Sequence, residues 1–393
     1  MTPRNDRMLA RLEGFAFWLA DHAELSLLEL HAAFCDELAA RGLPLWRSSL
    51  GLELLHPEQS GVRSLWTLNE GVKKTMAPRG VENLPDYLNS PLRIVDETGR
   101  PFRQKLVGPI PNLALLGELR EGGATDYVIF PLPFLDRERS AYLSFASKAA
   151  GGFTDDDIAV LEYAGKILSP YAERLALRRM AIDLLDTYVG HHAGERIFSG
   201  QIKRGALDEI EAAILMSDLR GFTLMSKERE RGVVIDTLNS WFDSNATAVE
   251  AHGGEVLKFM GDGLLAIFRA EIGVTDAVRR AHAATVDVRT AIGAVNVERA
   301  VAGEMPIEFA MGLHVGQVAY GNVGGQTRLD FTVLGPAVNY ASRLQNLAKR
   351  LGRPVLISSD FANVLAEPLV PAGAHAMRDI GRSEKVFALP AAA

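Results

Sequence analysis

One cysteine, Cys35, in 393 residues rules out an intrachain disulfide framework and any cysteine-rich zinc site. Its neighbours, HAAFCDEL, have helical spacing, so the thiol reads as a buried side chain. No run approaches the ~20 consecutive apolar residues that crossing a bilayer requires. The opening residues, MTPRNDRMLARLEG, are polar and carry no apolar segment of the signal-peptide kind. Positive charge is not in excess: 42 Lys and Arg against 49 Asp and Glu leave a net charge of −7, the wrong sign for a nucleic-acid-binding chain. Repeats are absent, and low complexity is confined to the short Ala-rich tail. The expectation is a cytoplasmic protein in a reducing compartment, with no membrane span and no nucleic-acid partner.

At this length a single core is rarely enough, so two or three domains are expected. Residues 6–41 carry helical apolar spacing, stopped by Gly42 and Pro44. Strand-like pieces follow (SLGLELLH, GVRSLWTLN, DYVIFPLPF, SAYLSFAS), as in an α+β domain on an antiparallel sheet. Thr154 is a good N-cap for the next helix, and Asp155, Asp156 and Asp157 suit its positive end. From there Leu161, Leu168, Leu175, Ile182 and Val189 recur every seven residues, interrupted by Pro170. The pattern fits either a parallel coiled-coil seam or an ordinary amphipathic linker helix. The boundaries are therefore set at 1–153, 154–206 for the last helix and linker, and 207–393. The last part alternates strands and helices in an α/β manner with at least one hairpin, which predicts a mixed sheet.

Three short stretches carry candidate chemistry. In AAILMSDLRGFT an apolar strand ends on Asp218, and Gly221, Phe222 and Thr223 open the next helix, where backbone amides and the dipole favour phosphate. In VLKFMGDGLLAIF a hairpin that reads as buried on both faces carries Lys258 in one strand and Asp262 at the tip. Asp-Gly is also ordinary hairpin chemistry. If the two strands are neighbours, the two carboxylates converge and suit hard cations such as Mg²⁺. In GPAVNYASRL, Pro336 suits a first helical position, and Asn339 and Arg343 lie one turn apart on the same face. An amide beside a guanidinium suits a pentavalent phosphorus, although a solvated polar face would look the same.

Taken in order, SDLRGFT, LKFMGDGLLAIF and LDFTVLGPAVNYASRL resemble the catalytic domain of the class III nucleotidyl cyclases, over roughly residues 207–390. The 44-residue separation of Asp218 and Asp262 matches that family as well. The resemblance implies a ferredoxin-like, palm-type α/β (α+β sandwich) domain with a mixed sheet. It implies that Asp218, Asp262 and the Leu219 carbonyl bind two Mg²⁺ or Mn²⁺ ions per site. Lys258 and Thr332 would read the base, in the manner of a Thr-bearing bacterial-type subgroup of adenylate cyclases. Asn339 would orient the ribose, and Arg343 would stabilise the transition state at the α-phosphate. Arg220 and Arg328 are candidates for the terminal phosphates. GPAVN departs from the commoner Gly-Asp before the helix, at a position not usually given a catalytic role. No protein base stands out; substrate phosphate, metal or water would take the proton.

The implied reaction is ATP to 3′,5′-cyclic AMP and pyrophosphate, in a site shared across a head-to-tail homodimer. The alternatives are a guanylate cyclase and a catalytically silent nucleotide-binding module. A diguanylate cyclase would need a Gly-Gly-Asp/Glu-Glu-Phe run where this chain has MGDGLL. Residues 45–170 more loosely resemble a GAF-type regulatory domain, through strand order and the Gly-Gly-Phe-Thr-Asp entry to the last helix. Such a domain either takes a small-molecule ligand or only dimerises, and no haem or bilin signature accompanies it.

Overall fold

The computed structural model describes residues 10–134, 141–377 and 383–390. Residues 6–9 of the expected first helix, Ser140 of the expected strand SAYLSFAS, and the expectations for the polar start and the Ala-rich end of the chain lie outside these. The chain divides into two compact units, Met1–Thr187 and Tyr188–Ala393. Among the described residues no helix is long and apolar enough to cross a membrane.

In the first unit the elements are α1 (Phe15–Asp21), α2 (Leu27–Ala40), β1 (Arg47–Glu53), β2 (Gln59–Thr67), β3 (Gly71–Pro78), α3 (Pro85–Leu88) and α4 (Pro91–Thr98). Then come β4 (Phe102–Lys105), α5 (Ala114–Glu121), β5 (Asp126–Pro131), β6 (Ala141–Ser147) and α6 (Asp155–Val189). The strands form one antiparallel sheet in the order β3-β2-β1-β6-β5-β4. Alternation along β5 serves both faces: Val128 and Phe130 join Phe34 of α2 and Leu161 and Leu168 of α6, whereas Tyr127 and Ile129 join Val95 of α4 and Leu116 and Leu119 of α5.

The single first helix expected from spacing is broken. Ser26 caps α2 in a reciprocal box with Glu29, and that local bonding outweighs the continuous apolar pattern. Thr154 does cap α6: its Oγ1 accepts from the Asp157 N–H at 3.1 Å. The helix runs 35 residues, through Pro170. Leu161 and Leu168 are fully buried in their own unit's core, with Leu175 packed beside them, so those three positions form no exposed seam.

In the second unit α7 (His191–Phe198) leads into β7 (Leu207–Leu219), α8 (Phe222–Glu228), α9 (Arg231–Ala251), β8 (Glu255–Met260), β9 (Gly263–Arg269) and α10 (Val274–Val301). They are followed by β10 (Phe309–Gly324), β11 (Leu329–Leu334), α11 (Pro336–Leu351), β12 (Val355–Ser358), α12 (Ser359–Leu365), β13 (Val370–Ala376) and β14 (Ser383–Ala388). The sheet runs β13-β14-β12-β10-β7-β9-β8, with β11 on β10, and it is mixed as expected: β10 and β12 are parallel and the other pairs antiparallel. One face packs on α9 and α10 through Ala213, Leu215, Trp241, Phe268 and Val278. The other packs on α7 and α11 through Ala212, Ile214, Ala193 and Ala341. Helix α11 lies almost on the backbone of β10: a Cβ on Gly312 would stand 2.3 Å from the Ala341 carbonyl and 2.5 Å from the Gln345 nitrogen.

Candidate active site

Asp218 is the penultimate residue of β7, paired with Gly263 of β9 on one side and Ala310 of β10 on the other. Asp262 occupies the turn between β8 and β9, so the two strands are neighbours and the carboxylates meet. Two glycines make that turn: Gly261 has a φ of 68°, and a Cβ on Gly263 would stand 2.7 Å from the Ser217 carbonyl. The turn is pinned from beneath, where the indole Nε1–H of buried Trp241 on α9 donates to the Asp262 carbonyl at 3.1 Å. The Leu219 N–H donates to the same oxygen at 3.3 Å.

Burial pushes the Asp262 carboxyl up to about 6, and the neighbouring Asp218 carboxylate adds to the effect. Buried Asp218 Oδ1 has no hydrogen-bond partner. Two adjacent carboxylates, one with an orphaned oxygen, are a donor set suited to hard divalent cations. Among the described residues no group of three or more His, Cys, Asp and Glu converges on a metal position, so backbone carbonyl, water and substrate phosphates would complete the coordination.

The cation nearest these carboxylates was not among the expected residues. Lys349 of α11 places Nζ 2.5 Å from Asp218 Oδ2, and Gln345, one turn earlier, donates to the same oxygen at 3.3 Å. Arg220, an expected phosphate ligand, lies 3.6 Å from Glu308, and Arg328 is exposed.

The expectation of a hairpin buried on both faces holds for β9 but not for β8. β8 is an edge strand, and its Lys258 is 31% exposed and bonded at 2.7 Å to Asp330 of β11. Asp330 stands two residues before Thr332, on the same side of the strand. Thr332 itself is only 3% exposed, and its Oγ1 has no hydrogen-bond partner. Asn339 is exposed and Arg343 half-buried on α11. Arg343 and Lys349, six residues apart, differ by roughly 120° around the axis at 3.6 residues per turn. The face of α11 that meets Asp218 is therefore not the face that carries Asn339 and Arg343. Gly221, with a φ of 74°, caps α8, leaving the amides of Phe222 and Thr223 at the open end of the first turn.

Residues 207–382 match the family profile of the Adenylate and Guanylate cyclase catalytic domain. An adenylate cyclase of Anabaena cylindrica is 34% identical over 189 residues, covering 47% of this chain and 36% of that protein. Adenylate cyclase 1 of Rhizobium meliloti (strain 1021) is 31% identical over 162 residues, covering 41% of this chain and 24% of that one. The chain thus spans about a third or less of these two relatives. Among solved structures, the adenylyl cyclase CyaB from P. aeruginosa is 25% identical with a TM-score of 0.44, over 48% of this chain and 97% of that one. The guanylyl cyclase Cya2 is 30% identical with a TM-score of 0.40, over 46% and 91%. The two carboxylates lie on neighbouring strand ends, inside the stretch that the profile of the adenylate and guanylate cyclase catalytic domain matches.

Proposed function

We propose that the chain is an adenylate cyclase, converting ATP to 3′,5′-cyclic AMP and pyrophosphate in a homodimer under the control of its N-terminal unit. The observation that carries this reading is the meeting of Asp218 and Asp262 at the mouth of a cyclase-type sheet, with an orphaned carboxylate oxygen between them. The chemistry that two bound Mg²⁺ or Mn²⁺ ions would supply here is charge neutralisation at the triphosphate and a lowered pKa for the ribose 3′-hydroxyl. Asp218, Asp262 and the Leu219 carbonyl would hold the ions, and the amides of Gly221, Phe222 and Thr223 would face the phosphates. The ribose 3′-oxygen forms a bond to the α-phosphorus, the bond to the pyrophosphate oxygen breaks, and the hydroxyl proton leaves to phosphate or water. Asn339 holds the ribose for in-line attack, and the Arg343 guanidinium faces the charge that builds on the α-phosphate.

Two arrangements favour a composite site in which one protomer supplies the carboxylates and its partner supplies Lys258, Thr332, Asn339 and Arg343. Within one chain α11 presents Asn339 and Arg343 away from Asp218. Phe259 and Met260 beside the hairpin tip are 53% and 41% exposed, an apolar cost that a second copy would remove. A preference for ATP rests on Lys258 as a donor to the base, held by Asp330, and on the unpartnered Thr332 hydroxyl. The six-stranded antiparallel sheet with helices on both faces suits a GAF-like regulatory unit that takes a small ligand or only dimerises. A cytoplasmic location belongs to the same reading.

Purified protein supplied with equal ATP and GTP and either Mg²⁺ or Mn²⁺ is expected to form cyclic AMP in excess, and Asp218→Ala or Asp262→Asn to abolish it. Cyclic GMP as the main product would establish a guanylate cyclase. Turnover of neither nucleotide would leave a silent module.

A further inference from the structure

The Lys349 contact has no part in the chemistry above, yet it falls on Asp218, one of the carboxylates assigned to the metal. Lys349 lies close to the C-terminal end of α11, which Gly312 holds against β10, so the base of its side chain is fixed relative to Asp218. The ammonium lies at 2.5 Å on Oδ2, with Gln345 on the same oxygen, while Oδ1 has no donor. The pair is not sealed in: the side chains are 32% and 25% exposed, so the ammonium has water to swing into. Its stem has four rotatable carbons and loses no backbone contact when the head group moves.

We propose that Lys349 is a placeholder cation that neutralises Asp218 until a divalent ion arrives and must leave Oδ2 for that ion to bind. This rests on the reading of Asp218 and Asp262 as metal ligands and adds the control of their loading. Metal entry is then an exchange of one cation for another, and its affinity is lowered by whatever the ion pair is worth. A partly exposed pair of this kind is worth enough to change a dissociation constant by about two- to fivefold. Gln345 keeps the carboxylate aimed during the exchange, because its amide bond to Oδ2 does not depend on the ammonium.

The test is titration of Mn²⁺ alone into the full chain by calorimetry at pH 8. Lys349→Met is expected to bind Mn²⁺ about two- to fivefold more tightly than the native protein, and Lys349→Arg to stay within about 1.5-fold of it. In EDTA the Met variant should melt lower, and Mn²⁺ should raise its Tm by more than it raises the native value. Unchanged or weaker binding by Lys349→Met overturns the placeholder role. Mn²⁺ binding that survives Asp218→Ala overturns the metal reading itself, a separate outcome. The native protein supplies a readout independent of any variant's folding. Mn²⁺ should increase acylation of Lys349, followed by peptide mass spectrometry, at least twofold relative to the other lysines. Unchanged or reduced labelling counts against the proposal.

Discussion

Trp241→Phe asks whether the core of the catalytic unit holds the site in shape. Trp241 is fully buried on α9, its ring 5.3 Å from Phe309, and its only polar atom donates to the Asp262 carbonyl at 3.1 Å. Phenylalanine keeps the apolar bulk and removes that donor. The carbonyl retains the longer Leu219 bond at 3.3 Å, so the loss is that of one hydrogen bond, about 1 kcal/mol, and not the larger penalty of an orphaned acceptor. The smaller ring leaves roughly 40 Å³, worth about 1 kcal/mol at ~24 cal/mol per Å³, with some transfer energy added. A loss of about 2–3 kcal/mol is expected for the catalytic unit in urea unfolding followed by circular dichroism. Because the lost bond ends on the turn carrying Asp262, Mn²⁺ affinity should also fall several-fold. A stability loss below about 0.5 kcal/mol would refute the packing account. A full loss with metal affinity intact would refute the link from core to turn.

Gly312→Ala should be worse: a methyl 2.3 Å from the Ala341 carbonyl must push α11 off β10, at a cost of about 3 kcal/mol, and a Tm within a degree or two of native would contradict this. Asn339, Arg343, Gln345 and Lys349 all ride on that helix, so activity should fall even where the variant remains folded. Arg343→Ala is expected to lower kcat with ATP by about 10²–10³ in a cyclic AMP formation assay. Buried His31 lies between the hydroxyls of Ser64 at 2.8 Å and Ser48 at 3.0 Å, and burial pushes its imidazole down to about 3. The unfolded chain, with its histidine near 6.5, then binds more protons below that pH, so the stability of the first unit is complete above it and lost as pH falls towards 3. Between pH 6.5 and 5 the loss is about 2 kcal/mol, at ~1.36 kcal/mol per unit. His31→Gln should flatten that slope in denaturant titrations at pH 7.5, 6 and 5, and an unaltered slope would assign the acid sensitivity elsewhere.

Residues whose role is local were legible in the sequence. Thr154 as an N-cap and Asp218 at the end of an apolar run announce themselves within a few positions. Ser26 with Glu29 is a capping box legible in the same sense, although the apolar period continues on both sides of it. Lys349 was not legible: in LQNLAKRL it reads as one more cation on an amphipathic helix, and its partner lies 131 residues earlier in the chain. Asp330 was hidden for the same reason, although its position two residues before Thr332 on one strand is a signal that strand periodicity supplies. β3 and β13 escaped because GVKKTMAP and VPAGAHA lack the β-branched and aromatic density of a strand, the second carrying both Pro371 and Gly373.

The register of β7 shows why the candidate site needs the whole sheet and not only its motifs. Ala213, Leu215, Ser217 and Leu219 take the face of α9 and α10, where the Ser217 hydroxyl donates to Asn245 at 3.0 Å. Ala212, Ile214, Met216 and Asp218 take the face of α11. A slip of one residue would turn Asp218 towards Asn245 and bring Ser217 to Lys349, exchanging a cation site for a hydroxyl. What prevents the slip is the burial of the preceding apolar residues on both faces, held by thirteen pairings with β10. The carboxylate is aimed by side chains far from any ligand. The alternation that aims it is written in AAILMSD, whereas the helix it meets is set by a topology that no short motif contains.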